Sequence, residues 1–333
     1  MLFQPAIIAL LLASAANVAM MLAIAPFALA VIRHWNLASG SERQLVLERR
    51  TYLMSTLLSL VLATQFLALL LFVFNADKMA ALFVGAMCAA GALNVNAYGL
   101  PALTAQIAVF FLAAMWLAIH HVDIQAPDYP LVRVKYALLL GMAPALLATF
   151  TLELHYFLGL RADVITSCCA RLFSGAAKGL SGDLSTLAPL PAMIVFYGTL
   201  FVAIAAAGYG ALRKRGGYVV ALASLAAFAG AIAGILSFVS LYVYEHPHHH
   251  CPFCLLKPEY HFQGYWLYLP LFAATAAGLG AGAVRPFAGV PSLRDIVPQV
   301  SGRLSAIALA GFAIFAAAAT VMIVRSNLIL LGS

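Results

Sequence analysis

Between Tyr244 and His261 the chain reads Tyr-Glu-His-Pro-His-His-His-Cys-Pro-Phe-Cys-Leu-Leu-Lys-Pro-Glu-Tyr-His, gathering five of its nine histidines and two of its five cysteines. Cys251 and Cys254 have the spacing at which two sulfurs either close a small disulfide or grip one metal ion, and Pro252 stiffens the intervening turn. A thiolate is both the nucleophile of disulfide exchange and the ligand for soft metals, and a neighbouring imidazolium favours it. Two chemistries are therefore open. In the first, Cys251 attacks, Cys254 resolves and His250 favours the attacking thiolate. In the second, Cys251, Cys254, His249, His250 and His261 form a receptor site for zinc, copper or iron. A static structural disulfide is the plainer option. Cys254 is followed by Leu255 rather than histidine, so the haem-attachment spacing is incomplete.

The adjacent pair Cys168-Cys169 is the second thiol signal. Adjacent cysteines form a bond only with a distorted intervening peptide, and such a bond is reducible; as free thiols they suit a soft cation or a transfer point. Cys88, inside Met87-Cys88-Ala89-Ala90-Gly91, reads instead as a packing residue silenced by apolar surroundings. Asn94 and Asn96 are amides that need partners in an apolar stretch, which suits a pore, a quinone or a helix contact. His120 and His121, with Asp123 nearby, are candidates for cofactor binding or a proton relay, set against a hydrated helix end. His155 is the better candidate partner for chemistry around the cysteines.

The elements that position these residues are membrane helices. The chain has 333 residues, 65% hydrophobic and 9% charged, where a soluble domain is about one-quarter charged. Apolar runs near 6–32, 51–74, 101–119, 132–152, 190–211, 218–244, 265–284 and 304–324 approach or exceed the roughly 20 residues that cross hydrocarbon. The fold class is all-α, a polytopic integral membrane helical bundle treated as one transmembrane domain over 1–333. Eight crossings are expected, plus a re-entrant hairpin at 79–100, interrupted by Gly85, Gly91, Asn94, Asn96 and Gly99; a spanning 79–100 would make nine. Gly230 and Gly234 have a small-xxx-small spacing suited to packing within the subunit, or between copies in an oligomer.

The net charge of +7 arises from 18 Lys and Arg against 11 Asp and Glu. The cations sit in short clusters between apolar segments, which is the pattern of cytoplasmic loop anchors rather than of a nucleic-acid surface. Arg213-Lys214-Arg215 and the arginines of 285–303 mark the inner side. The link 153–189 and the His- and Cys-rich loop 245–264 then share the extracytoplasmic face, as in a bacterial inner membrane. The chain has no Walker A segment, no strand-flanked Gly-x-Gly-x-x-Gly and no His-Glu-x-x-His helix.

Two thiol pairs on the outer side of a helical membrane protein resemble, in layout, the quinone-linked membrane thiol oxidoreductases. The resemblance implies one pair exchanging electrons with a thioredoxin-like protein and the other passing them to quinone. The vicinal pair departs from the usual arrangement of that family. The leading expectation is thus a membrane thiol–disulfide oxidoreductase or electron conduit, with Cys251/Cys254 and Cys168/Cys169 as communicating couples. The alternative is a transport or maturation protein for a soft metal or haem, served by a metal-carrier protein. A further alternative is a non-catalytic membrane anchor subunit.

Overall fold

The computed structural model describes residues 4–36, 39–161, 164, 166 and 189–330. Among the described residues there are eight long helices: α1 (Pro5–His34) and α2 (Glu42–Ala80), then, after the five-residue α3 (Ala89–Leu93), α4 (Gly99–Asp123) and α5 (Val132–Leu158). They continue as α6 (Pro189–Arg213), α7 (Gly217–Tyr244), α8 (Gln263–Ala283) and α9 (Ile296–Arg325). All except α3 have the length and hydropathy of a membrane span. Among the described residues there is no strand. The expected count of eight is met, and 81–98 makes turns around α3 rather than a ninth long helix.

The largest boundary difference is at α2, which starts at Glu42 instead of near 51 and continues to Ala80. Its opening turns, Glu-Arg-Gln-Leu-Val-Leu-Glu-Arg-Arg, are charged but made of good helix formers, so the helix outruns its apolar stretch. Large apolar side chains project outward along the spans, among them Leu12, Leu60, Leu67, Phe201 and Leu222. Water would penalise such a coat; lipid tails match it, leaving helix association to close packing and hydrogen bonds.

The chain divides into two compact units, 1–75 with 96–160 and 283–300, and 76–95 with 161–282 and 301–333. In the first, α1 and α4 both pack on α5, around a core that includes Met21, Ile24, Leu62, Trp116, Tyr136 and Leu139. Asn96 also serves this unit, donating from Nδ2 to the carbonyl of Tyr156 at 3.0 Å. It is a helix contact, one of the roles open to it.

In the second unit α6 packs on α7. Gly230 and Gly234 lie at that contact: a Cβ at either would collide with Thr199 or Phe196 of α6. The small-residue spacing is used within the chain. Phe196, Phe238, Leu271, Phe312 and Phe315 continue this core.

Candidate metal centre

Two segments of the second unit build the site. The first, 81–95, leaves α2, turns at Gly85 with φ +86° and enters α3 with Cys88 as its extended N-cap residue. The carbonyl of Cys88 accepts from the N–H groups of Gly91 and Ala92 at 3.0 and 3.3 Å. Asp77 Oδ1 accepts from the N–H of Ala89 at 3.3 Å, satisfying one of the amides that a helix start leaves open. Thr166 holds the other side, donating from N to Val84 O at 3.0 Å and from Oγ1 to Gly91 O at 2.9 Å.

The second segment follows α7. That helix widens into a π turn over Ile235–Val239, an irregularity often found at functional sites. Within it, the carbonyl of Leu236 lies 2.8 Å from His250 Nδ1. A carbonyl only accepts, so Nδ1 carries the proton and Nε2 the lone pair. Tyr244 donates to Cys251 O at 2.5 Å and Tyr268 to Pro252 O at 2.7 Å. Cys254 opens a 3-10 turn, Cys254–Leu256, closed by Lys257 N to Cys254 O at 3.0 Å. Lys257 then ties the two segments together: its ammonium donates to the carbonyl of Met87 and stands 4.0 Å from Asp77 Oδ1.

The result is a cluster of three buried thiols. The sulfurs of Cys88, Cys251 and Cys254 all lie within 4.8 Å of one another, with Cys88 and Cys251 at 3.3 Å. Leu236, Ala90, Ile232, Phe253, Tyr244 and Tyr260 surround them with apolar and aromatic surface. Two thiolates on one tetrahedral zinc, each about 2.3 Å from the metal, stand about 3.8 Å apart, so three sulfurs within 4.8 Å of one another could hold one metal ion.

This geometry overturns the thiol–disulfide oxidoreductase expectation. A disulfide needs sulfurs about 2.05 Å apart; Cys88 and Cys251 stand at 3.3 Å and are gathered with Cys254 as a trio. Cys251, expected as the exposed attacking thiol, is fully buried. Burial also holds His250 below the ordinary histidine range, against an opposing effect of its bond to Leu236, so it is a poor source of the imidazolium that would activate a thiolate. His249 is lowered by burial as well. No feature of the described residues supports quinone binding.

Cys88 is the residue the sequence reading passed over. It is buried, as a packing residue would be, yet it belongs to the thiol cluster. No histidine nitrogen shares the cluster among the described residues. His249 stacks on Tyr244 with ring centroids 4.2 Å apart. His261 is exposed and lines an open cavity of about 760 Å³ with Glu245, Trp266 and Arg325. Cys168 and Cys169 lie outside the described residues.

His120, His121 and His155 belong to the first unit. His120 stacks on Trp116, its Nδ1 3.4 Å from Lys135 Nζ, while His121 is exposed. His155 is exposed too and bonds through Nδ1 to Thr151 O at 2.8 Å. Compared with protein-family profiles, curated proteins and solved structures, the chain matches none.

Proposed function

We propose that the chain is an integral membrane protein that binds a soft transition metal through Cys88, Cys251 and Cys254, in the service of metal transport or of metal-cofactor maturation. The observation that carries this reading is the convergence of three buried thiols, their sulfurs within 4.8 Å of one another, from two segments far apart in sequence. Soft thiolate ligands select copper(I), zinc and iron–sulfur clusters. Zinc takes four ligands in nearly all structural sites, whereas copper(I) is content with three thiolates. Copper(I) is therefore the first candidate cargo, with zinc second.

The chain's own residues supply three services. The thiols give up their protons as the metal binds, so loading is favoured as pH rises. Lys257 brings a cation beside Cys88, through Met87, which offsets part of the negative charge that three thiolates introduce into a dry site. The aromatic cover of Tyr244 and Tyr260 limits water and competing ligands. Cys168 and Cys169 follow Thr166 by two and three residues, and Thr166 bonds to backbone on both sides of Cys88. In this reading they are a transfer point between the centre and a carrier protein. The basic clusters at 213–215 and 285–303 support an extracytoplasmic loop 245–264 in a bacterial inner membrane.

The test is reconstitution of the reduced, detergent-solubilised protein with copper(I) or zinc under anaerobic conditions. Stoichiometric metal with sulfur-only coordination in X-ray absorption, lost in Cys88→Ser, is the expected result. Binding of neither metal above the level of a Cys88→Ser, Cys251→Ser, Cys254→Ser triple variant overturns the reading.

A further inference from the structure

The first unit holds a carboxyl group that the metal reading does not use. Glu153, on α5, is fully buried within a span. Ser14 of α1 bonds to its Oε2 at 2.5 Å, and Gln106 of α4 donates from Nε2 to its Oε1. Among the described residues Glu153 has no ion pair. No titratable residue lies on α1 or α4 within two turns of Ser14 or Gln106. On α5 its titratable neighbours are His155, which is exposed and bonded to Thr151 O, and Tyr156.

A buried carboxylate with no counter-charge is expensive in a membrane protein and marks a functional site by default. The partners chosen here are informative. A lysine or arginine would lock the group in its charged form. A serine hydroxyl both donates and accepts, and a glutamine amide offers a donor on one side and an acceptor on the other. Gln106 Oε1 is buried and has no hydrogen-bond partner, and Asn17 Nδ2, one turn along α1 from Ser14, is in the same state. Gln106 thus keeps spare acceptor capacity beside a carboxyl that can be satisfied charged or neutral.

We infer that Glu153, held between Ser14 and Gln106, is a proton-exchange site inside the first unit, of the kind that couples proton movement to transport. It takes a proton on a carboxylate oxygen and hands it back without rearrangement of the three helices, because Ser14 and Gln106 reverse their donor and acceptor roles. Glu153 lies within two turns of the α5 terminus at Leu158, so the path to the bundle end is short. The proposal rests on no part of the metal reading.

The test uses the full-length protein in phospholipid vesicles and the lipid-soluble reagent dicyclohexylcarbodiimide. A protonated carboxyl in apolar surroundings adds its O–H across one C=N bond of the reagent, and the O-acylisourea rearranges to a stable N-acylurea with no leaving group. The adduct, mapped by mass spectrometry on the unmutated chain, is expected at Glu153, falling as pH rises. Infrared difference spectra should show a carboxylic C=O band that vanishes over the same pH interval and is missing in Glu153→Gln. Labelling and a band that persist unchanged at every pH make the group a fixed structural acid and overturn the proposal. Absence of both at every pH means a permanently ionised group and does the same. A band controlled by sodium at constant pH identifies a metal-cation site instead, and also overturns it.

Discussion

Cys88 Sγ stands 3.3 Å from Cys251 Sγ, although the two residues are 163 positions apart and belong to separate segments of the chain. Packing alone does not require sulfur at both positions, since alanine or valine fills apolar space equally well. A shared ligand does require it. If the three thiols act as one centre, Cys88→Ser, Cys251→Ser and Cys254→Ser should have similar effects. Loss of a partner outside the ligand set typically costs 10–100-fold in metal affinity, so losing one of three ligands should cost more than about 100-fold. Competition titrations against a copper(I) chelator measure this. A Cys88→Ser variant that binds as tightly as the unmutated protein would remove Cys88 from the centre.

Lys257 makes a separate prediction. It bonds to Met87 O and approaches Asp77, so it holds the Cys251–Cys254 turn against the segment that carries Cys88. Lys257→Met retains much of the stem but removes the charge and the clamp. Metal affinity should fall by about 10-fold, and amide exchange should quicken in both 84–95 and 249–257. Faster exchange in only one of the two segments would mean that Lys257 does not join them.

The membrane spans are legible in the sequence because hydropathy over about 20 residues reports on a single local property. The Cys251–Cys254 turn is legible for a similar reason: its two sulfurs are close in the chain. Cys88 is a different case. An isolated cysteine in an apolar run has the same local pattern whether it packs or ligates, and only the fold brings it to Cys251. Histidine abundance does not pick out a ligand set by itself. His246, His248, His249, His250 and His261 look like a ligand reservoir; His249 stacks on Tyr244, His250 donates from Nδ1 to Leu236, and among the described residues no histidine nitrogen shares the sulfur cluster. The register of the α7 π turn, which presents the Leu236 carbonyl, has no simple sequence signature. At α2 the apolar run begins near 51, whereas helix propensity carries the helix back through Arg50, Arg49 and Arg43.

Gly234 tests the packing of α6 on α7. A side chain there meets Phe196, and overpacking a tight contact typically costs about 1–3 kcal/mol. Gly234→Leu should therefore lower the thermal stability of the detergent-solubilised protein while leaving its oligomeric state unchanged. A change of oligomeric state with no loss of stability would move Gly234 to an interface between copies.

The last prediction concerns Asp123 and Lys135, whose charged ends meet at 2.6 Å with both side chains almost wholly buried. Asp123 also accepts from the N–H of Leu131 at 2.7 Å, while Trp116 donates to the carbonyl of Lys135 at 2.8 Å. The pair therefore fixes the turn between α4 and α5 from both sides. Removing one member leaves an uncompensated charge in a dry site, and such breaks cost about 3–5 kcal/mol. Replacing both members by apolar residues of similar size removes the desolvation penalty along with the attraction, and is often neutral. Lys135→Met alone should thus be strongly destabilising, and Asp123→Leu alone similarly so. The double variant should recover most of the loss, less the contribution of the Asp123 bond to Leu131, about 1 kcal/mol or more. Thermal denaturation of all four proteins in one detergent gives the coupling directly. If the two single losses simply add in the double variant, Asp123 and Lys135 contribute independently and the turn is held by its other bonds.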